Sequence, residues 1–398
     1  MRISTTQMTQ QALTAMLDQQ YKLGQTQQQI STGKKYLRAA DDPIAASQSL
    51  GLEKSLSQNG QYQKNADFAD FRLRLEETTL NDATTVLNRV RELAIQGNNA
   101  FISNDDRKII AVELKQRLDE LVDLANTKDA NDEYIFAGFQ SNTKPFALNG
   151  TGGVNYSGDE GQRFIQIGET RQIALGDPGF DAFMKIRNGN GTFSVSQDIN
   201  NTGTGVIDAG TVVDPTAYIV DTYTITFTTS TTYEVRDSGS NLVASGTYVP
   251  DGDLNFNGIQ TAIKGDPAAG DIFTVAPSSY QDIFSTVNNI ITAFETQISG
   301  PVDMANLNND VNRFLTDVDQ GLENLYIMRS GVGSRLNAID SQKQLNETQS
   351  ININENISNL NDLDYVEAIT RLNQQMAGLQ AAQQSYVRVN NLSLFNYL

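Results

Sequence analysis

Ser31 and Lys34 stand three residues apart, the spacing at which a lysine amine can activate a serine nucleophile, but the companion Ser-Asp-Asn and Lys-Thr-Gly motifs occur nowhere in the chain. The same stretch fails as a phosphate-binding loop. Gln28 stands where the first glycine belongs, and Lys35 replaces the Ser or Thr that would hold magnesium. Asp253, Asn255, Asn257 and Gly258 match the opening of a calcium loop, yet Lys264 occupies the position that needs a bidentate Glu, so turn chemistry explains them better. The adjacent carboxylates Glu76-Glu77 and Asp105-Asp106 diverge by about 100° on a helix, which reads as caps and solvated faces rather than an acid–base pair. Cysteine and histidine are absent, which removes thiolate chemistry and zinc. The reading is no catalytic, cofactor-binding or metal-binding residues, and no enzyme.

The spacings that remain are mechanical. Tyr365, Ile369, Leu372, Met376, Leu379, Gln383, Tyr386 and Asn390 alternate steps of four and three, a narrow coiled-coil seam on one helix. Leu13, Met16, Gln20, Leu23, Gln27 and Ile30 repeat the alternation near the other end. The two ends are expected to pack together and to serve as a subunit-assembly seam. Gln20, Gln27, Gln383 and Asn390 would then set its register, since a polar residue on such a seam costs stability and forbids other alignments.

The net charge of -18 argues against nucleic acid, which needs clustered Lys and Arg. The acidity sits in the middle: residues 1–45 hold five Lys/Arg against three Asp/Glu and residues 365–398 two against one, so both ends are nearly neutral, as suits ends buried against other chains. No window approaches a membrane span, and Met1 to Gln10 lacks the apolar core of a secretory signal. Composition alone points to the cytoplasm and to no membrane partner.

In chain order, Gly33 is a helix stop and Asp42-Pro43 a restart, with Asp42 as cap. Leu73, Leu80, Leu87 and Ala94 recur every seven residues in a helix to about Gly97, and a third helix starts near Ser103 with Ile110, Leu114, Leu118, Leu121 and Ala125 on one face. Residues 141–280 hold 19 of the 30 glycines and six of the eight prolines together with Thr-rich alternating runs such as Thr222 to Phe227, which marks a β insert. Helical pattern resumes after Pro277 with Phe284, Val287, Ile291 and Phe294, then Val311 to Leu322, and a separate polar helix is expected from about Leu336 to Asn359. The fold class is α+β: discontinuous helical-bundle and coiled-coil domains built from both termini, interrupted by a mainly β domain. The expected parts are 1–45 with 365–398 as a terminal assembly domain, 46–140 with 281–364 as a helical rod, and 141–280 as an outward-facing insert.

Met1-Arg2-Ile3-Ser4-Thr5, Ile30-Ser31-Thr32-Gly33-Lys34, Ala39-Ala40-Asp41-Asp42-Pro43 and the closing Leu392-Ser393-Leu394-Phe395-Asn396-Tyr397-Leu398 resemble the bacterial flagellin superfamily. Tyr134-Ile135-Phe136-Ala137-Gly138, Arg329-Ser330-Gly331-Val332-Gly333-Ser334-Arg335-Leu336-Asn337 and, in the insert, Gly265-Asp266-Pro267-Ala268-Ala269-Gly270-Asp271 resemble its hook-associated members, most of all the hook–filament junction branch. That resemblance implies a structural subunit of the extracellular flagellum, exported unfolded through the flagellar type III channel without a cleaved signal peptide. It implies hook-associated protein 1 on the hook side, flagellin on the filament side, self-association into a ring, and an export chaperone at the C-terminal helix. A filament flagellin is the near alternative, and a secreted protein with a carbohydrate-binding or enzymatic β insert the distant one.

Overall fold

A computed structural model describes residues 5–149 and 153–391. Six α-helices carry the chain: α1 (Thr5–Thr32), α2 (Pro43–Gly97), α3 (Asn104–Ala125), α4 (Ile283–Glu295), α5 (Pro301–Asn361) and α6 (Tyr365–Asn391). Their ends follow from local chemistry. Gly33, at φ +69°, lets its own N–H bond back to Gln29 and stops α1. Asp42 starts α2 by accepting the N–H groups of Ile44 and Ala45 at 3.1 and 2.9 Å, with Pro43 in the first turn where no N–H is needed. Ser103 caps α3 through the N–H of Asp106, and Asp282 caps α4 through that of Ser285. The separate helix expected from Leu336 does not exist as such: α5 runs unbroken through Gly321, Gly331 and Gly333. Each interior glycine costs about 1 kcal/mol against Ala, which packing along a helix of this length outweighs.

By internal packing the chain divides into two compact units, Met1–Lys64 with Gln342–Leu398, and Asn65–Ser341. Sequence reasoning placed its first boundaries at residues 45 and 365 and set the insert apart as a third body. Inter-helix polar contacts carry the early turns of α2 and the late turns of α5 into the first unit: Asn59 Nδ2 reaches Asn346 O at 2.5 Å and Ser350 Oγ at 2.8 Å, and Asn361 Nδ2 reaches Ser49 Oγ at 2.7 Å. Such pairs leave no hydropathy signature.

The second unit holds two apolar cores. The first is helical, with Leu73, Leu80, Leu87 and Ala94 of α2 against Ile110, Leu114, Leu118 and Leu121 of α3 and Phe284, Val287, Ile291 and Phe294 of α4, all buried. The second lies in the insert. An antiparallel sheet runs in the order 242–247, 232–236, 223–229, 272–277, 193–197. A smaller sheet centres on 259–264, flanked by 253–256 and by the short strands 206–207 and 211–212. Tyr223, Ile225, Phe227, Phe273 and Val275 of the larger sheet share this core with Leu254, Phe256, Ile259 and Ile263 of the smaller, the inner positions of period-two strands.

The insert is fastened to α5 by polar side chains. Asn309 accepts from Ile207 N at 2.9 Å and donates to Gly205 O at 3.0 Å, continuing the edge of a strand as a neighbouring strand would. Asp310 accepts from Gln197 Nε2 at 3.0 Å, Asp317 from Gly189 N at 2.6 Å, and Asn324 donates to Asp181 O and Ala182 O at 2.9 and 3.0 Å. Asp310, Asp317 and Asn324 are seven residues apart, so one stripe of α5 serves all three.

Candidate assembly surface

α1 and α6 pack against each other within the first unit. Two rows on each helix turn inward. On α1 they are Ala12, Gln19, Thr26 and Met16, Leu23, Ile30, and on α6 Ala368, Gln375, Ala382 and Leu372, Leu379, Tyr386. Every residue in these rows is half-buried except Thr26 and Ala368, which are buried. One row on each helix is apolar and the other mixes small with polar side chains. Of the polar ones, Gln19 reaches across the pair, its Nε2 donating to Gln375 O at 3.3 Å. Gly378 leaves space for it, since a Cβ there would stand 3.0 Å from Gln19 Nε2.

Backbone hydrogen bonds latch the helix ends together. Lys35 N donates to Asn361 O at 2.8 Å and Leu363 N to Gly33 O at 2.9 Å, with Lys34 opposite Asp362 in an antiparallel bridge. Gln29 Nε2 holds Lys35 O at 2.7 Å, and Asp364 Oδ1 accepts the N–H groups of Val366 and Glu367 at the start of α6. Ser31 and Lys34 therefore belong to a helix end. Asp253, Asn255, Asn257 and Gly258 likewise belong to a hairpin between strands 253–256 and 259–264, whose two-residue turn, Asn257 at φ 41° and Gly258 at φ 75°, takes the positive angles such loops require.

The remaining heptad row faces away. Leu13, Gln20 and Gln27 on α1 and Ile369, Met376 and Gln383 on α6 are exposed, as are Leu17 and Tyr21, the latter at 72%. Asn390 lies in α6, its side chain outside the described residues. The seam read from the sequence is thus two rows of different exposure: Met16, Leu23, Ile30, Leu372, Leu379 and Tyr386 are half-buried where α1 and α6 pack, and the Leu13 and Ile369 rows are exposed. Sequence reasoning missed the Ala12, Gln19, Thr26 row, because its mix of small and polar residues carries no apolar repeat.

One sequence expectation is corrected outright. Glu76 is neither a cap nor on a solvated face; it is 1% exposed, because Asp177 and Arg335 close over it. Those partners lie too far along the chain for local spacing to show.

The family model for the bacterial flagellin N-terminal helical region matches residues 3–141, that for the C-terminal helical region matches residues 315–398, and a model described as the D2-like domain of flagellar hook-associated protein 1 matches residues 196–277. Flagellar hook-associated protein 3 of Escherichia coli strain K12 is 26% identical over 396 residues, covering 99% of each chain. The crystal structure of Xanthomonas campestris FlgL is 33% identical, with a TM-score of 0.73 over 77% of this chain and 99% of that one. This chain belongs to the flagellin superfamily, in the family of hook-associated protein 3. The flagellar junction protein FlgL from Legionella pneumophila agrees, at 32% identity and a TM-score of 0.73 over its full length. Members are structural proteins of the bacterial flagellum, and the chain is a flagellar component. Both flagellin models cover the terminal helices just described, and the closing Leu392 to Leu398 lies outside the described residues.

Proposed function

We propose that this chain forms the junction between hook and filament, as a ring of identical subunits outside the cell that adapts one helical lattice to the other. Its neighbours are hook-associated protein 1 on the hook side and flagellin on the filament side. The observation that carries the reading is the exposed apolar row on the helix pair: Leu13, Leu17 and Tyr21 on α1 with Ile369 and Met376 on α6. Exposed apolar rows on paired, nearly uncharged helices are suited to burial against other chains. Gln20, Gln27, Gln383 and Asn390 would fix register between subunits, and the exposure of Gln20, Gln27 and Gln383 leaves them free to do so. Residues 1–45 and 365–398 make up the assembly domain, 46–140 and 281–364 a helical rod, and 141–280 an outward-facing insert.

Export follows the flagellar type III channel, with a chaperone covering the C-terminal helix and hence its apolar row before assembly. Support for the hook-associated role over that of a filament flagellin comes from the insert, where residues 196–277 match a hook-associated domain. Deleting the gene in its host and imaging the cells by electron microscopy tests the reading. Bare hooks with flagellin monomers in the medium are expected; intact filaments would overturn it.

A further inference from the structure

Among the described residues, the densest set of buried charge lies in the second unit. Glu76 of α2 is 1% exposed, its Oε1 accepting the backbone N–H of Asp177 at 2.9 Å while Oε2 has no hydrogen-bond donor among the described residues. The Asp177 carboxylate is ion-paired with Arg335 of α5 and accepts Gln162 Nε2 at 2.9 Å. One turn before Glu76, Arg72 is 2% exposed, paired with Asp129 and 3.5 Å from Glu133, which in turn holds Arg163 at 2.8 Å. Arg335 belongs to the stretch 329–337 singled out in the sequence, and its neighbour in that stretch, Arg329, pairs with Glu77 at 3.0 Å. Arg329 thus holds α2 directly, and Arg335 holds the segment whose backbone N–H binds Glu76.

The set built around Glu76 counts four carboxyl groups, Glu76, Asp129, Glu133 and Asp177, against three guanidinium groups, Arg72, Arg163 and Arg335. One negative charge has no counter-charge, and Glu76, the most buried and with an unbonded oxygen, is where it would reside. An ionised carboxylate so placed lacks both water and a donor. The cavity lined by Arg72, Arg163, Gly176 and Asp177 measures about 10 Å³, too little for a hydrated cation. A proton needs no room.

We propose that Glu76 carries a proton in the folded chain and that its ionisation weakens the clasp of segment 175–179 onto α2 and α5, making this body sensitive to pH. Burial, and then the negative charge of Asp177, push the Glu76 carboxyl up to about 8, against the opposing pull of the Asp177 N–H, Arg335 and Arg72. The sign follows: with the folded value above the ordinary 4.5, the group's contribution is fully present below 4.5 and is lost as pH rises toward 8.

Urea unfolding of the full chain between pH 5 and pH 9 tests this. The folding constant of the second unit should fall by up to about tenfold per pH unit within the window, an excess that Glu76→Gln removes. Asp177→Asn, which takes away the adjacent charge, should make the fall end at a lower pH, its onset near 4.5 being set by the unfolded chain. Should Glu76→Gln not fold, the 13C carboxyl resonance of Glu76 in the unmodified chain decides the matter. Equal pH profiles for the unmodified chain and Glu76→Gln, or a Glu76 resonance that titrates below pH 5, would overturn the proposal.

Discussion

At the scale of single residues, contacts are sharpest where a side chain is missing. A methyl group on Gly97 would overlap the ring of Phe294, and one on Gly321 would stand 2.6 Å from Ile283 Cδ1. Neither helix can separate freely, since both residues sit against the helical core. Gly97→Ala is therefore expected to destabilise the second unit by about 1–3 kcal/mol despite the better helix propensity of Ala, read as a lower urea midpoint. The ion pair of Arg72 and Asp129 is harsher still. Asp129→Ala strands a buried guanidinium and should cost about 3–5 kcal/mol by the same measurement, whereas exposed pairs such as Arg89 with Glu92 should cost under about 1 kcal/mol. Leu73, Leu80, Leu87 and Ala94 were legible from spacing alone, as was the cap Asp42, because each depends on neighbours within two turns. Gly97 and Glu76 were not. Their reasons for being there, Phe294 and Asp177 with Arg335, are supplied by distant segments that only the fold brings close.

At the scale of elements, the terminal helices separate two effects that a single seam would confound. The inward rows are half-buried or buried where α1 packs on α6, and the outward row is exposed. Leu23→Ala should lower the helicity of the terminal helices in the free chain, measured by circular dichroism, because it truncates a half-buried contact. Tyr21→Ser combined with Met376→Ser should leave that helicity unchanged and abolish filament attachment in complemented cells. Loss of helicity in the second variant would mean that the outward row has an intrachain partner after all. The same separation applies to α5, where Asn309 continues the edge of the insert's smaller sheet. Asn309→Ala leaves a strand N–H and a carbonyl unpaired, so faster hydrogen exchange is expected at Ile207 than at Ile225 in the larger sheet. Composition located the insert, through its glycines, prolines and threonines. It could not reveal that α5 is continuous or which of its polar residues hold the insert, since an Asn that bonds backbone looks the same in sequence as one in water.

At the scale of the whole chain, the two units are built from different material. The second encloses two apolar cores with nine phenylalanine and tyrosine side chains among its largest fully buried residues. Among its described residues the first buries only Ala45, Ile353, Leu363 and Ala368 together with Thr26, Ser49, Asn59 and Asn346. Apolar area is the main stabilising term in folding, and the first unit has little of it to offset the entropy of ordering long helices. Local opening in the free chain should accordingly begin at α1 and α6, where most inward positions are only half covered. Limited proteolysis of the monomer is expected to trim both ends and to leave a resistant fragment of roughly residues 50 to 355, with cuts inside α1 and α6 preceding any in 73–125. Incorporation into flagella should protect the same sites, because the Leu13 and Ile369 rows would then be covered. Equal resistance of α1, α6 and the core helices in the free monomer would show that the terminal pair is stable on its own and that assembly does not depend on ordering it.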